Sequence, residues 1–260
     1  MDFPKRTLIM GIVNVTPDSF SDGGTYNTVE NAVRHAKQLV KDGADILDIG
    51  GESTRPGSEP VSEREELQRV LPVIEQLTKL GVEISIDTTK PGVADACLHA
   101  GATILNDVTG LTNNDMLEVA KKHGCPVVVM HMQGKPKTMQ ENPTYKDLIQ
   151  DIKTFFQQQK EKAPELQLIF DPGIGFGKTL EHNLELHRKL SEFTDLGPIL
   201  FGSSRKSFIE HITKLPVEDR LEASIASNVI AVMHGASIIR VHDVKEHKKA
   251  IAIADAVQYG

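Results

Sequence analysis

Eight short apolar runs of this chain each end in, or lead directly into, a polar or ionisable side chain. In order these are Asn14; Asp48, followed by Glu52, Thr54 and Arg55; Asp87; Asn106 with Asp107; His131; Asp171; Ser204-Arg205-Lys206; and Arg240 with His242. Charges this close to apolar segments are costly unless paired or in use. The set is rich in hydrogen-bond acceptors and in fixed cations, which suits gripping a polar ligand edge and an anion. It contains no Ser-His-Asp order and no zinc-type ligand spacing. Arg240 and His242 stand two apart on a strand, so both face the same way and can hold one anion together. Ser85 and Asp87 share a face by the same rule. Asn14 is an oxygen donor of the kind magnesium accepts when it arrives with phosphates and keeps several waters.

The segment Asp171-Pro172-Gly173-Ile174-Gly175-Phe176-Gly177-Lys178 carries three glycines. They would let backbone approach a flat ligand, with Phe176 placed to pack on it. Gly177-Lys178-Thr179 copies the tail of a Walker A loop, but Gly173 stands one residue too close for that motif. A tight strand-to-helix turn is an equal reading. Plainer roles exist for other residues. His131 reads first as a core histidine bonded to backbone, and Asp87 and Asp171 read also as helix N-caps. Arg205 reads as the ion-pair partner of a helix carboxylate. Lys206 reads as a helix-start lysine, where the helix dipole demands an acceptor or anionic partner. His35, His99, His182, His187 and His247 fall in helical stretches and read as solvated.

The elements that must position these groups follow from periodicity. Runs rich in Ile and Val occupy 7–15, 44–50, 82–88, 103–108, 126–132, 167–171, 199–203 and 236–242. Little alternation within them predicts strands buried on both faces of a parallel sheet. Between them lie amphipathic stretches. The first has Val29, Ala32, Val33, Ala36, Leu39 and Val40 on one stripe, a capping-box pattern at Asn27 and Glu30, and Gly43 to stop it. Another carries Tyr145, Leu148, Ile149, Ile152, Phe155 and Phe156 at helical spacing; others fit 63–80, 92–100, 114–123, 180–193, 219–234 and 245–257. Eight β-then-α units predict a (β/α)8 TIM barrel, one α/β domain over residues 1–260, with chemistry at the C-terminal strand ends. A doubly wound open sheet is the structural alternative. The Gly/Ser/Pro-rich loops at 17–26 and 51–62, after the first two strands, are candidate lids.

Composition narrows the partners. The 260 residues include 29 Lys and Arg against 36 Asp and Glu, a net charge of −7. A net acidic chain is a poor default binder of nucleic acid or anionic membranes. Cys97 and Cys125 lack redox or metal spacing and read as free thiols of a reducing compartment. The N-terminus shows no long apolar stretch, and no segment reaches the length needed to span a bilayer. The expectation is a cytoplasmic protein.

Two long blocks carry a resemblance. Met10-Gly11-Ile12-Val13-Asn14-Val15-Thr16-Pro17-Asp18-Ser19-Phe20-Ser21-Asp22-Gly23-Gly24 and Asp48-Ile49-Gly50-Gly51-Glu52-Ser53-Thr54-Arg55-Pro56-Gly57 resemble the signatures of the dihydropteroate synthase family. Shorter matches are Ser85-Ile86-Asp87-Thr88-Thr89-Lys90-Pro91, Asn106-Asp107, Met130-His131-Met132-Gln133-Gly134, the segment 171–178, Gly202-Ser203-Ser204-Arg205-Lys206-Ser207 and Ile239-Arg240-Val241-His242-Asp243-Val244. The resemblance runs from about Leu8 to the last residue.

It implies a pterin-binding TIM barrel that joins a dihydropterin pyrophosphate to p-aminobenzoate with release of pyrophosphate. The pterin pocket would use Asp87, Asn106, Asp171, Lys206 and Arg240, with Met130 and Gly202 in the substrate lining. Asn14, Arg240 and His242 would hold the pyrophosphate with Mg2+. Thr54, Arg55, Pro56, Phe176, Lys206 and Ser207 would frame p-aminobenzoate, helped by Phe20. A dissociative reaction and a homodimer packed through C-terminal helices are further implications. Two rivals are weighed. Pterin-dependent methyltransferases would share Asp87, Asn106 and Asp171 but have no need of Thr54-Arg55-Pro56 or of Ser204-Arg205-Lys206-Ser207. A pterin-binding protein without turnover would lack a pyrophosphate or lid residue, and none is missing.

Overall fold

Eight parallel strands form one sheet in the computed structural model, which describes residues 1–16, 25–53, 60–134 and 138–260. They are β1 (Leu8–Asn14), β2 (Ile46–Gly50), β3 (Glu83–Asp87), β4 (Ile104–Asp107), β5 (Val127–Met130), β6 (Leu168–Asp171), β7 (Leu200–Phe201) and β8 (Ile238–Val241). Their order is β6-β5-β4-β3-β2-β1-β8-β7. The two outer strands meet through a single bridge, Phe170 to Ile199, where Phe170 N–H donates to the Pro198 carbonyl at 2.9 Å. That contact rolls the sheet into a barrel and rules out the open doubly wound sheet. The helices are α1 (Thr25–Asp42), α2 (Glu63–Leu77), α3 (Pro91–His99), α4 (Asn114–His123), α5 (Leu148–Lys162), α6 (Leu180–Arg188), α7 (Ser207–Thr213), α8 (Leu221–Met233) and α9 (Val244–Tyr259).

Strand parity divides each strand between two environments. One set, including Ile9, Val13, Leu47, Ile49, Ile84, Ile86, Val127, Val129, Phe170 and Ile239, faces the helices in the main core. The other set faces the barrel axis. Its lower members, Leu8, Met10, Ile46, Ile104, Val128, Ile169, Leu200 and Ile238, form a separate buried apolar plug, with Met1 and Phe3 packed against it. Two residues further along the same faces stand Asp48, Asn106, Met130, Asp171, Gly202 and Arg240. One face of each strand is therefore apolar at its start and polar at its end. The plug keeps water from below, so the polar groups open only toward the C-terminal mouth.

Several local expectations are corrected. Helix α1 begins at Thr25, so Asn27 lies inside its first turn rather than at the cap, and the preceding loop ends two residues earlier than expected. Gly43 does stop it, at φ 105°. Tyr145 lies ahead of α5, because Asp147 caps that helix by accepting from Gln150 N–H at 3.1 Å. The stretches 63–80 and 180–193 each finish in a 3-10 turn, Thr78–Leu80 and Leu190–Phe193. The short α7 has no side-chain N-cap; its start at Lys206 matches the helix-start reading of that lysine, but the sequence predicts no helical stretch over its length. His187 and His247 are buried rather than solvated: His187 bridges the Asn183 carbonyl and Ser227 Oγ, both at 2.7 Å, and His247 meets Asn228 Nδ2 at 2.9 Å. Neither Asp87 nor Asp171 caps a helix, since Lys90 and Thr179 occupy the N-caps of α3 and α6.

Candidate active site

The floor of the barrel mouth is a shared ion pair. Arg240 donates from Nε to Asp48 Oδ2 at 2.6 Å and from Nη2 to Asp87 Oδ2 at 2.7 Å. Asn106 turns its amide NH2 to the same Asp48 carboxylate, at 3.1 and 3.3 Å. Asp48 is fully buried, and strand register sets it beside Ser85, two residues below Asp87. Burial pushes the Asp87 carboxyl up to about 7; the Asp48 charge adds to this and Arg240 opposes it. The two carboxylates hold the Arg240 guanidinium more firmly protonated, against its own desolvation. A buried ion pair that loses one partner leaves an uncompensated charge, so these three groups stand or fall together.

One wall is the segment that follows β6. Asp171 is 6% exposed and accepts from Gly173 N–H at 2.7 Å. Burial raises its carboxyl, while the Lys206 charge, that N–H bond, Lys178 and Arg240 pull it down. Lys206, the N-cap residue of α7, reaches back to the Ile174 carbonyl at 2.5 Å and lies 4.8 Å above the Phe176 ring. Burial lowers its amine to about 8, with Asp171 holding it up. Lys206 thus finds the acceptor partners that its place at a helix start demands. Met130, in register with Asp171, is buried beside it.

Gly173, Gly175 and Gly177 all have positive φ. A Cβ on Gly173 would fall 2.0 Å from the His131 carbonyl, and one on Gly177 would fall 2.3 Å from that of Gln133. These two glycines let the segment lie on the chain leaving β5, in keeping with the tight strand-to-helix turn that the sequence offered as an equal reading. Gly173→Ala should therefore cost about 2–4 kcal/mol, combining left-handed strain with overpacking. Gly81→Ala, at φ 70° with nothing within 4 Å, carries the strain alone and is the control. Equal shifts of the two urea midpoints would remove the packing part of this account.

The adjoining wall joins β7 and β8. Arg205 makes a bidentate pair with Asp243, at 3.0 Å from Nε and 2.5 Å from Nη2, which is the structural role read from the sequence. Ser204 Oγ lies 3.0 Å from His242 Nδ1. A Cβ on Gly202 would fall 3.7 Å from Arg240 Cβ, so this position leaves room beside Arg240 and Lys206. Ser207 is exposed at the start of α7. On the strand next to β8, Asn14 ends β1 on the barrel-facing side, in register with Gly50. Among the described residues its side chain has no hydrogen-bond partner, and no three His, Cys, Asp or Glu side chains are grouped to hold a metal.

Residues 10–242 match the pterin binding enzyme family. The chain is 48% identical to the dihydropteroate synthase of Escherichia coli K12 over 255 residues, covering 95% of this chain and 90% of that one. The chain belongs to the dihydropteroate synthase family. The barrel also superposes on the Yersinia pestis dihydropteroate synthase solved with a sulfonamide drug, at TM-score 0.94 and 48% identity, covering 100% of this chain and 97% of that one. The Xanthomonas albilineans dihydropteroate synthase in complex with 7,8-dihydropteroate matches at TM-score 0.88 and 41% identity, over 98% and 95% of the two chains.

In this dihydropteroate synthase barrel, Asp87, Asn106, Met130, Asp171, Phe176, Gly202, Lys206, Arg240 and His242 gather at one mouth, as the sequence predicts. Phe20, Thr54, Arg55 and Pro56 lie outside the described residues. Sequence reasoning gave Asp48 no role in the site. The available signal was parity: Ile46 points into the barrel, so Asp48 does too.

Proposed function

We propose that the chain condenses 6-hydroxymethyl-7,8-dihydropterin pyrophosphate with p-aminobenzoate, giving 7,8-dihydropteroate and pyrophosphate. The observation that carries this reading is the closeness of a buried acceptor, Asp171, to two cations, Lys206 and Arg240, at a mouth closed from below. The family membership and the product complex of the Xanthomonas relative support it. A pterin edge offers an amino group and a ring N–H side by side, which the Asp171 carboxylate accepts together. Lys206 donates to the ring carbonyl and nitrogen. Arg240 has Nε and Nη2 committed to Asp48 and Asp87, which leaves Nη1 and the guanidinium face for the pterin ring and the leaving phosphate.

Pyrophosphate leaves the exocyclic methylene carbon first, and the electron-rich dihydropterin stabilises the cation. The amine of p-aminobenzoate then attacks, with Phe176, Lys206 and Ser207 framing it beside Thr54, Arg55 and Pro56. The protein holds leaving-group charge and shields the cation from water, with no nucleophile of its own. Asn14 and His242 share the pyrophosphate with Arg240. An unpaired amide oxygen fits Mg2+, which takes its remaining ligands from phosphate and water and would supply charge neutralisation to the leaving group.

The exposed Ile230 and Met233 of α8 and Ile253, Val257 and Tyr259 of α9 support a homodimer packed through these helices, to be checked by sedimentation. No helix among the described residues is long and apolar enough to cross a membrane. Two free buried thiols support a cytoplasmic location.

The deciding assay is pyrophosphate release with Mg2+ and the pterin pyrophosphate, with p-aminobenzoate added or withheld. Release that depends on p-aminobenzoate, with dihydropteroate formed in step, is expected. Pterin binding without it would leave a binding protein. A sulfonamide, also a flat para-substituted aniline with an acidic tail, should compete with p-aminobenzoate. A non-competitive pattern would put the two in different places.

A further inference from the structure

Lys178 carries an amine into the interior at a place where the reaction makes no use of it; burial lowers that amine to about 7, with Asp171 holding it up. Its side chain is 3% exposed, and burying an ammonium group is costly unless every N–H is met. Here each is. Lys178 Nζ reaches the Phe176 carbonyl at 3.0 Å, the His131 carbonyl at 3.2 Å and His131 Nδ1 at 3.2 Å. One acceptor belongs to the loop that follows β6, and two belong to the residue that follows β5. The lysine is thus a pin between two separate segments of the mouth.

His131 is shaped for its half of the contact. Burial drives its imidazole down to about 3, with the neighbouring Lys178 charge adding to the effect, so the ring is neutral and Nδ1 keeps a lone pair. Phe155 packs edge-on against the ring at 5.3 Å, and Tyr145 lies 6.0 Å away. Tyr145 also donates its hydroxyl to the Gly177 carbonyl at 2.8 Å, a second tie on the same loop. Gly173 and Gly177, lacking Cβ atoms, allow the loop to sit close enough for these bonds. What the pinned loop presents to the mouth is the Phe176 ring and the Ile174 carbonyl, the two groups that Lys206 Nζ touches.

We propose that Lys178, locked on His131, is a positioning residue that sets Phe176 and Lys206 in place for the second substrate. This rests on the reading that those two residues frame p-aminobenzoate. It assigns a use to His131, which otherwise reads only as a core histidine. It also replaces the phosphate-loop reading of Gly177-Lys178-Thr179: the lysine points into the protein, and Thr179 is spent capping α6.

The test is steady-state kinetics on Lys178→Met, His131→Phe and His131→Asn, with calorimetric titration of the pterin pyrophosphate alone. Methionine keeps an unbranched side chain one atom shorter and removes every donor. Phenylalanine keeps the ring packing and removes the acceptor. Asparagine restores an acceptor where Nδ1 stood. For Lys178→Met, the KM for p-aminobenzoate should rise about tenfold or more, while the pterin pyrophosphate Kd changes by less than about threefold. His131→Phe should give a smaller rise of the same kind, and His131→Asn should stay near wild type. The chain has no Trp, so Phe176→Trp supplies a single fluorophore. Acrylamide quenching of it should increase about threefold when Lys178→Met is added. Unchanged p-aminobenzoate KM and unchanged quenching would overturn the proposal. So would an equal loss of both substrates, which marks a general structural role. If the wild type releases no pyrophosphate at all, the functional reading fails, whereas the quenching comparison still decides the claim about the loop.

Discussion

Asp171→Asn should remove measurable affinity for the pterin while leaving the barrel folded. Asparagine matches the shape of the carboxylate, so packing is kept. What changes is the pattern facing the ligand. The carboxylate offers only acceptors to two neighbouring donors, whereas an amide must turn either an NH2 toward a donor or a single oxygen toward both. The loss of two charge-assisted bonds in a buried pocket corresponds to about 3–5 kcal/mol, or roughly two to four orders of magnitude in Kd. A second signature distinguishes this from simple damage. Asp171 is the charge that holds up the amines of both Lys206 and Lys178 against burial. Without it both deprotonate more easily. A lysine acts here as a cation, so activity is lost as pH rises through its pKa. The residual activity of Asp171→Asn should therefore decline at lower pH than in wild type, where Lys206 sits at about 8. Unchanged pterin affinity by calorimetry would sink the assignment of Asp171.

Arg240→Met is expected to cost both activity and fold. The guanidinium is the counter-charge shared by Asp48 and Asp87, one fully buried and the other nearly so. Removing it leaves two uncompensated carboxylates on neighbouring strands, a change worth about 3–5 kcal/mol of stability. The penalty depends on pH, and its sign can be worked out. The Asp87 pKa is raised from the ordinary carboxylate value to about 7 in the folded protein. The stability this group contributes is therefore complete below the unfolded pKa and is lost as pH rises through 7. With Arg240 gone the folded pKa rises further, because the Arg240 charge that opposes the shift is removed while Asp48 still adds to it. At pH 5 Asp87 is protonated in both proteins and the deficit comes mainly from Asp48. At pH 8 the deficit includes both groups. Urea unfolding at the two pH values should show a larger gap between wild type and Arg240→Met at pH 8. A gap that shrinks with rising pH would overturn the shared-ion-pair description.

The eight strands were legible because each is a compact Ile/Val run ending in a polar residue, and burial on both faces leaves few other arrangements. Most of the pocket followed, because parity and the strand-end rule together select Asn106, Asp171 and Arg240. Asp48 stands among the polar strand ends in the sequence, but its role in the site does not follow from sequence, for a physical reason. Its partners, Arg240 on β8 and Asn106 on β4, lie 192 and 58 residues away, and only the stagger of the closed barrel brings them together. The glycines of 173–177 stood out in the sequence, but two readings of them stayed open. Sequence shows that a side chain is missing, not whether the space is filled by a ligand or by the Gln133 carbonyl. Helix α7 has seven residues and no side-chain cap, too little periodicity to announce itself. The buried His187 and His247 look like other helical histidines until Ser227 and Asn228 are brought against them.

The seam between β6 and β7 has a consequence for how the barrel breathes. Every other neighbouring pair shares a ladder, but these two strands share one bridge. Asp171 lies at the end of one lip and Lys206 just beyond the other. A ligand held by both spans the loosest join in the cylinder and acts as a clasp across it. Its binding free energy then adds to the energy needed to part the lips, and amide hydrogens along β6 and β7 become slower to exchange than those of β2 and β3 when the mouth is filled.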